Sequence, residues 1–228
     1  MEILRHLQEN GYPVGWSKCV FQPAAEDIEE ACAHLQEDMN ESGVVIAPRP
    51  GLTFQVFYEI IPQLIHVVIL GEGPYPDIDT ACGIAFSQPD QKPTNSLANM
   101  FRELCRGDPN IPEPTTGDLL PWVHQGVLLL NKNYTVDVRN TSKYECIWNG
   151  FNELVFKAVN SRKGKVIYVL MGVKAKSMKS LIGDKGIFLE CPHPSPRNGN
   201  AFEGCNIFNR VNKELVKQGK APIDWTLP

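Results

Sequence analysis

The stretch "HVVILGEGPYP" (66–76) decides the fold. It opens as an unbroken apolar run and closes in a loop that glycine and proline keep from continuing as a strand. A continuous, β-branched run of this length reads as a strand buried on both faces, the habit of parallel sheets. Three further runs share the form: "GVLLLN" (126–131), "KVIYVLMG" (165–172) and "GIFLEC" (186–191). Between and after them, apolar residues recur at helical spacing. Leu97, Met100, Phe101 and Leu104 form one such stripe, Ile147, Phe151, Leu154, Val155 and Ala158 a second, and Phe208, Val211 and Leu215 a third. An earlier helix is predicted over "AEDIEEACAHLQEDM" (25–39), whose acidic first turn suits the helix dipole. Strands alternating with helices predict an α/β sandwich with a central, mostly parallel sheet. The 228 residues, 43% hydrophobic, suffice for a single domain, with residues 1–44 as its helical N-terminal part.

Composition excludes several classes of function. No stretch approaches ~18 uninterrupted apolar residues, so no membrane span is expected. "MEILRHLQEN" carries charges where a signal peptide needs an apolar segment. The seven cysteines are odd in number and scattered, as expected of reduced thiols in an intracellular protein, cytoplasmic or nuclear. No CxxC pair points to a structural zinc or an iron–sulfur cluster. Net charge is −4, yet it is unevenly spread. Residues 141–228 carry 14 Lys and Arg against 7 Asp and Glu, whereas residues 1–140 carry 8 against 19. A basic half can bind phosphate whatever the total. The same numbers also describe an ordinary solvated surface.

In open α/β sheets the ligand sits outside the carboxyl ends of the strands. The informative loops are therefore "GEGPYP", "NKNYTV", "MGVKAKS" and "CPHPSPRNGN". The first is no dinucleotide fingerprint, because Pro76 stands where a third glycine belongs and Pro74 and Pro76 bar the required helix start. In the last, prolines stiffen the chain around His193 and hold its imidazole over the crevice. His193 alone, or Asn131 alone, reads as an ordinary loop or capping residue. The argument rests on all four loops meeting at one sheet edge.

The stretches "VVILGEGPY", "GIAFS", "NSLANMFREL", "QGVLLLN", "YTV", "HPSP", "GCNIF" and "APIDW" together make the chain resemble family 1 uracil-DNA glycosylases from about residue 45 onward. The resemblance implies a three-layer α/β/α sandwich with a four-stranded, mainly parallel central sheet, and recognition of a uracil flipped out of DNA, with no metal or organic cofactor, by a monomer. Such an enzyme must take the base from the stack and read it in a closed pocket. By resemblance Asn131 reads uracil, its carboxamide accepting from N3–H and donating to O4. Phe86 is the ring on which the base stacks, and Tyr75 is the wall that excludes thymine's methyl. The backbone from Gly71 onward offers N–H groups. His193 donates to the O2 of the departing uracil anion. Ser96, Gly172, Lys174, Ser195 and Arg197 fall at the positions that grip DNA.

The chain departs from the family at four places. The family's G-Q-D-P-Y-H is here Gly71-Glu72-Gly73-Pro74-Tyr75-Pro76, so the aspartate that orients water is Gly73. Pro76 for His is also found in the poxviral branch. Val173 replaces the serine of the Gly-Ser phosphate loop, and Arg197 replaces the leucine wedge. Loss of a water-orienting carboxylate costs about 10²–10⁴ in rate. Three readings follow. The carboxylate has moved to Glu72, Asp77 or Asp79, with Glu72 echoing the G-E-A-P-G of family 4. Alternatively the protein is a non-catalytic uracil- or DNA-binding module or replication scaffold. Or it acts on a different modified base. Arg197, with Lys174, Lys176 and Lys179, predicts a preference for single-stranded DNA, and a protein inhibitor or replication partner fits the same family.

Overall fold

The computed structural model describes residues 1–89, 91–93 and 95–227. Two short strands, β1 (Ile46–Ala47) and β4 (Val136–Asp137), form an antiparallel pair. The central sheet consists of β2 (Val67–Gly71), β3 (Val127–Asn131), β5 (Ile167–Met171) and β6 (Ile187–Cys191). All are parallel, in the order β3-β2-β5-β6. Each falls inside one of the four apolar runs. Helices flank this sheet in a three-layer α/β/α arrangement.

The three stripes form helices Asn95–Gly107, Asn149–Asn160 and Ile207–Lys217, with Ile147 just ahead of its helix rather than inside it. The predicted early helix extends three residues further, over Ala25–Ser42, and stops at Gly43 in a left-handed conformation. Burial on both faces holds for β2 and β5 throughout and for β3 up to Leu130, but not for β6. That strand is an edge: Ile187, Phe188 and Leu189 are only partly covered and Glu190 is exposed. Its apolar run reads like a central strand because its side chains pack from one side onto Tyr168 and the helices beyond. No helix among the described residues is long and apolar enough to cross a membrane.

Residues 1–44 join the main core. Ile3, Leu7, Trp16, Phe21, Ile28 and Leu35 are all buried. Phe21 packs edge-on against Phe54, Phe57 and Phe151, which also contact Tyr134 and Trp148. A second aromatic group joins Trp122, Phe208 and Trp225, and so anchors the C-terminal "APIDW".

Chain order places the ligand crevice. From β2 the chain moves outward to β3, then crosses back to β5 on the other side of β2. The crossover direction therefore reverses between β2 and β5, whose pairing stops at Leu70 and Leu170, one residue short of the ladders on either side. The loop after β3 is pinned beneath this crevice by Asn152. Its Nδ2 donates to the Lys132 carbonyl (2.8 Å), and its Oδ1 accepts from the Tyr134 hydroxyl (2.8 Å). Asn152 is fully buried, so neither bond has water as a substitute. Asn152→Ala is expected to lower unfolding free energy by about 1–3 kcal/mol for each group left unpaired, read from urea denaturation. A variant as stable as the parent would refute this anchoring.

Candidate active site

A cavity of about 930 Å³ opens at the β2/β5 switch point. Its walls come from the loops after β2, β5 and β6, from the end of β3 and from the segment 81–86. Gly71 and Asn131 are paired across the last rung of the β2–β3 ladder. A Cβ on Gly71 would come within 2.7 Å of Asn131 Oδ1 and 3.1 Å of the Phe86 ring. Only glycine lets the carboxamide and the ring approach this closely. Phe86 itself sits at φ 66°, in the left-handed region that a bulky residue rarely adopts. Its neighbours hold it there. The Ala85 N–H donates to the Leu129 carbonyl (3.2 Å), and the Tyr75 hydroxyl donates to the Phe86 carbonyl (3.2 Å). Burial raises the Tyr75 phenol far above its usual range, so it stays neutral.

His193 faces this group, its ring 6.0 Å from that of Phe86. The Ser195 N–H donates to His193 Nδ1 (3.0 Å), which leaves Nε2 as the protonated nitrogen of the neutral ring. Asn99 on helix Asn95–Gly107 donates to the Pro194 carbonyl (2.7 Å), and Asn198 donates to the His193 carbonyl (3.0 Å). Gly172, at φ 86°, allows the loop to close, since a Cβ there would lie 2.8 Å from that of His193.

The residues singled out in the sequence separate into two groups. Glu72, Gly73, Tyr75, Phe86, Asn131 and His193 line the cavity, as do Ser96, Gly172, Lys174, Ser195 and Arg197. Asp77 and Asp79 are not among its lining residues. Asp77 accepts from the Thr80 hydroxyl (2.6 Å) and the Asp79 N–H (3.1 Å), and Asp79 pairs with Arg49. Glu72 is in place but engaged: Lys174 Nζ lies 2.5 Å from its Oε1 and 2.7 Å from Glu145 Oε1. Lys176 and Lys179 both pair with Glu190. Glu145 was not apparent from sequence, because its partner Lys174 lies 29 residues away, on the short helix Gly172–Ser177. Asn133 also went unremarked in "NKN", where an asparagine after a strand reads as a turn residue.

Burial holds the His193 imidazole below the ordinary histidine value of 6.5, against the opposing pull of the Glu72 carboxylate. A depressed value means that the folded ring stays neutral as pH falls through 6.5 and takes up its proton only below that. Nitrogen-detected NMR is expected to show an Nε2–H tautomer with a midpoint under 6.5. Glu72→Gln removes the one pull toward the charged form, so the midpoint should drop further. A midpoint at or above 6.5, or a rise in the variant, would contradict this account.

Comparison with known proteins identifies the family and the fold. The profile of the Uracil DNA glycosylase superfamily matches residues 59–216. The uracil-DNA glycosylase of Dichelobacter nodosus is 33% identical over 213 residues, covering 92% of this chain and 93% of that one. That of Pseudomonas aeruginosa is 38% identical over 217 residues, covering 93% and 94%. Among solved structures, a tyrosine-substituted mimivirus enzyme in complex with UGI superposes with a TM-score of 0.85 over 100% of this chain and 92% of that one, at 23% identity. The enzyme of Nitratifractor salsuginis follows at 0.63, over 95% of each chain, at 19% identity. At such identities the structures speak for the fold, and the sequence relatives for the family. The chain belongs to the uracil DNA glycosylase superfamily.

Proposed function

We propose that this protein removes uracil from DNA by hydrolysing its N-glycosidic bond, as a single glycosylase-like domain in base excision repair. The observation that carries this reading is the convergence of Asn131, Phe86, Tyr75 and His193 on one cavity, around a Gly71 that could bear no side chain. Asn131 answers both polar edges of uracil, and a cytosine would leave two mismatched contacts, each costing about 1–3 kcal/mol. Phe86 offers a stacking face worth roughly 1–3 kcal/mol. Tyr75 fills the space that thymine's methyl would need. His193, neutral with Nε2–H outward, donates to O2 as charge develops there, which acts on the transition state rather than on the bound substrate.

The carboxylate that best fits the reaction is Glu72, which lines the cavity beside Gly73, whereas Asp77 and Asp79 are committed elsewhere. Glu72 stabilises the oxocarbenium-like sugar through space, and its pairing with Lys174 tempers that effect. Ser96, Gly172, Ser195 and Arg197 face the DNA strand. A charged Arg197 resists desolvation within a base stack and pairs instead with phosphate or base, which favours single-stranded DNA. The protein acts as a monomer inside the cell. The neighbouring complexes with UGI make a protein inhibitor of that kind a fitting partner for the same face.

The test is uracil release from a single-stranded oligonucleotide. Wild type should release uracil in preference to thymine or cytosine, at a rate about 10²–10⁴ below that of an enzyme with a water-orienting carboxylate at position 73, since Glu72 acts on the sugar's charge and not on the water. His193→Ala should abolish release, and Gly73→Asp should raise it. Gly73 is not in the left-handed region, and an added Cβ would meet Val136 Cγ1 at 3.2 Å, a contact that yields with a small shift. No release by wild type or by a well-folded Gly73→Asp, on DNA that both bind, would make the protein a uracil-binding module instead.

A further inference from the structure

Two carboxylates meet one ammonium beside the cavity. Lys174 Nζ lies 2.5 Å from Glu72 Oε1 and 2.7 Å from Glu145 Oε1, and it also donates to the Ser142 hydroxyl (3.5 Å). Glu72 and Lys174 line the cavity, whereas Glu145 stands outside its lining. The three come from separate parts of the fold: the loop after β2, the short helix Gly172–Ser177 after β5, and the segment ahead of helix Asn149–Asn160. The core fixes Glu145 from both sides. Tyr144 is buried and its hydroxyl donates to Asp38 (2.7 Å), and buried Trp148 donates from Nε1 to the Thr135 hydroxyl (2.8 Å). Hydrogen bonds from Lys174 and Ser142 hold the Glu145 carboxyl below the usual carboxylate range, and the Lys132 charge adds to that pull. Burial opposes the charge on Lys174, but its bonds to Glu145 and Glu72 outweigh burial and raise its value, so it stays protonated.

Two carboxylates and one ammonium leave one net negative charge at the cavity wall. A Glu72–Lys174 pair alone would leave none, and its field would fall off as that of a dipole. The charge of Glu72 reaches the reacting end of the cavity, since it pulls the His193 ring toward protonation. Resting on the uracil-excision reading, we infer that Glu145 is a positioning residue that acts through Lys174. By pairing with the ammonium it leaves Glu72 with an uncompensated charge to present to the sugar. As the C1′–N1 bond breaks, its electron pair leaves on uracil, and positive charge spreads over C1′ and the ring oxygen. A net negative wall stabilises that cation, and a neutral one does so far less. The departing uracil anion is met by the His193 N–H instead. The same net charge repels the phosphates of a bound strand, so Glu145 raises the rate at some loss of affinity.

The experiment is single-turnover uracil release from a single-stranded oligonucleotide at saturating enzyme, by wild type, Glu145→Gln, Glu145→Asp and Lys174→Met. The Lys174 and Glu145 side chains are 33% and 32% exposed, so these substitutions leave the core intact. Affinity for an uncleavable 2′-fluoro-uracil strand, melting temperature and the His193 midpoint by nitrogen-detected NMR are followed in parallel. Glu145→Gln should slow release by about 3- to 10-fold, the effect of one unit charge acting through partly solvated protein. Its affinity for the uncleavable strand should be equal or higher, and its His193 midpoint lower. Glu145→Asp keeps the charge and should recover most of the rate. Lys174→Met should move release and midpoint the other way, upward, with weaker binding. A purely structural role for the ion cluster would slow the Gln and Met variants alike and leave His193 unmoved. Wild-type release by Glu145→Gln, slower release by Lys174→Met, no recovery in Glu145→Asp, or a midpoint unmoved in both would overturn the inference while leaving uracil excision standing. No release by wild type from DNA that it binds would overturn both.

Discussion

The site depends on a missing atom. Where β2 ends, Gly71 has no Cβ, and that is why Asn131 Oδ1 and the Phe86 ring can both close on the same point. An alanine there would force apart the last rung of the β2–β3 ladder or push Phe86 out of a conformation that is already costly. The cost is borne because Phe86 is over-determined. Gly83 behind it has its α-carbon against the Leu52 carbonyl, Ala85 bonds to β3, and Tyr75 bonds to the Phe86 carbonyl. Strain in one residue is thus held by contacts to three other segments, which keeps the ring proposed as the stacking platform in place without a ligand.

The same economy of side chains occurs across the crevice. Gly172 admits the His193 loop as Gly71 admits Asn131. The loop's hydrogen bonds then settle the chemistry of the imidazole. The Ser195 N–H occupies Nδ1, so protonation there would set a proton against a proton, which adds to the depression that burial causes. The Glu72 carboxylate pulls the other way, but Lys174 shares it with Glu145. The result is a neutral donor in a pocket that still holds a partly compensated negative charge, suited to an anionic leaving group and a cationic sugar together.

The sheet was legible because burial on both faces leaves continuous apolar runs, and the loops were legible because a parallel sheet presents its ligand at one edge. What sequence could not reveal depends on contacts between distant segments. Residues 1–44 were read only as a helical part, yet Phe21 stands at the centre of an aromatic group drawn from three other segments. The β1–β4 pair, two residues a side, is too short for any period to register. The edge position of β6 was hidden because Phe188 stacks on Tyr168 and keeps a strand-like composition despite partial exposure. Among the three candidate carboxylates, sequence could not separate Glu72 from Asp77 and Asp79. Only the partners each has found, Lys174 for one, Thr80 and Arg49 for the others, tell them apart.

The departures from the family pattern become coherent once the site is divided by element. The residues proposed to read the base stand at the ends of β2 and β3 and on the pinned segment through Phe86, where the sheet or a close glycine contact fixes them. Substitution there would disturb the fold as well as the pocket. Position 73 is different: it lies beyond the last strand residue, outside the left-handed region, and a Cβ there would find its nearest neighbours in Val136 and Asn133 at 3.2 Å or more. Removing a carboxylate from it therefore costs the fold nothing and also spares the pocket a second negative charge beside Glu72. Two carboxylates so close would raise each other's proton affinity and draw on the one Lys174. A neutral residue at 73, with Glu72 charged and Lys174 shared, is one self-consistent solution, and an aspartate at 73 with a neutral residue at 72 is another. Either solution leaves the ends of β2 and β3 and the Phe86 segment, where the proposed base-reading residues stand, as the sheet dictates.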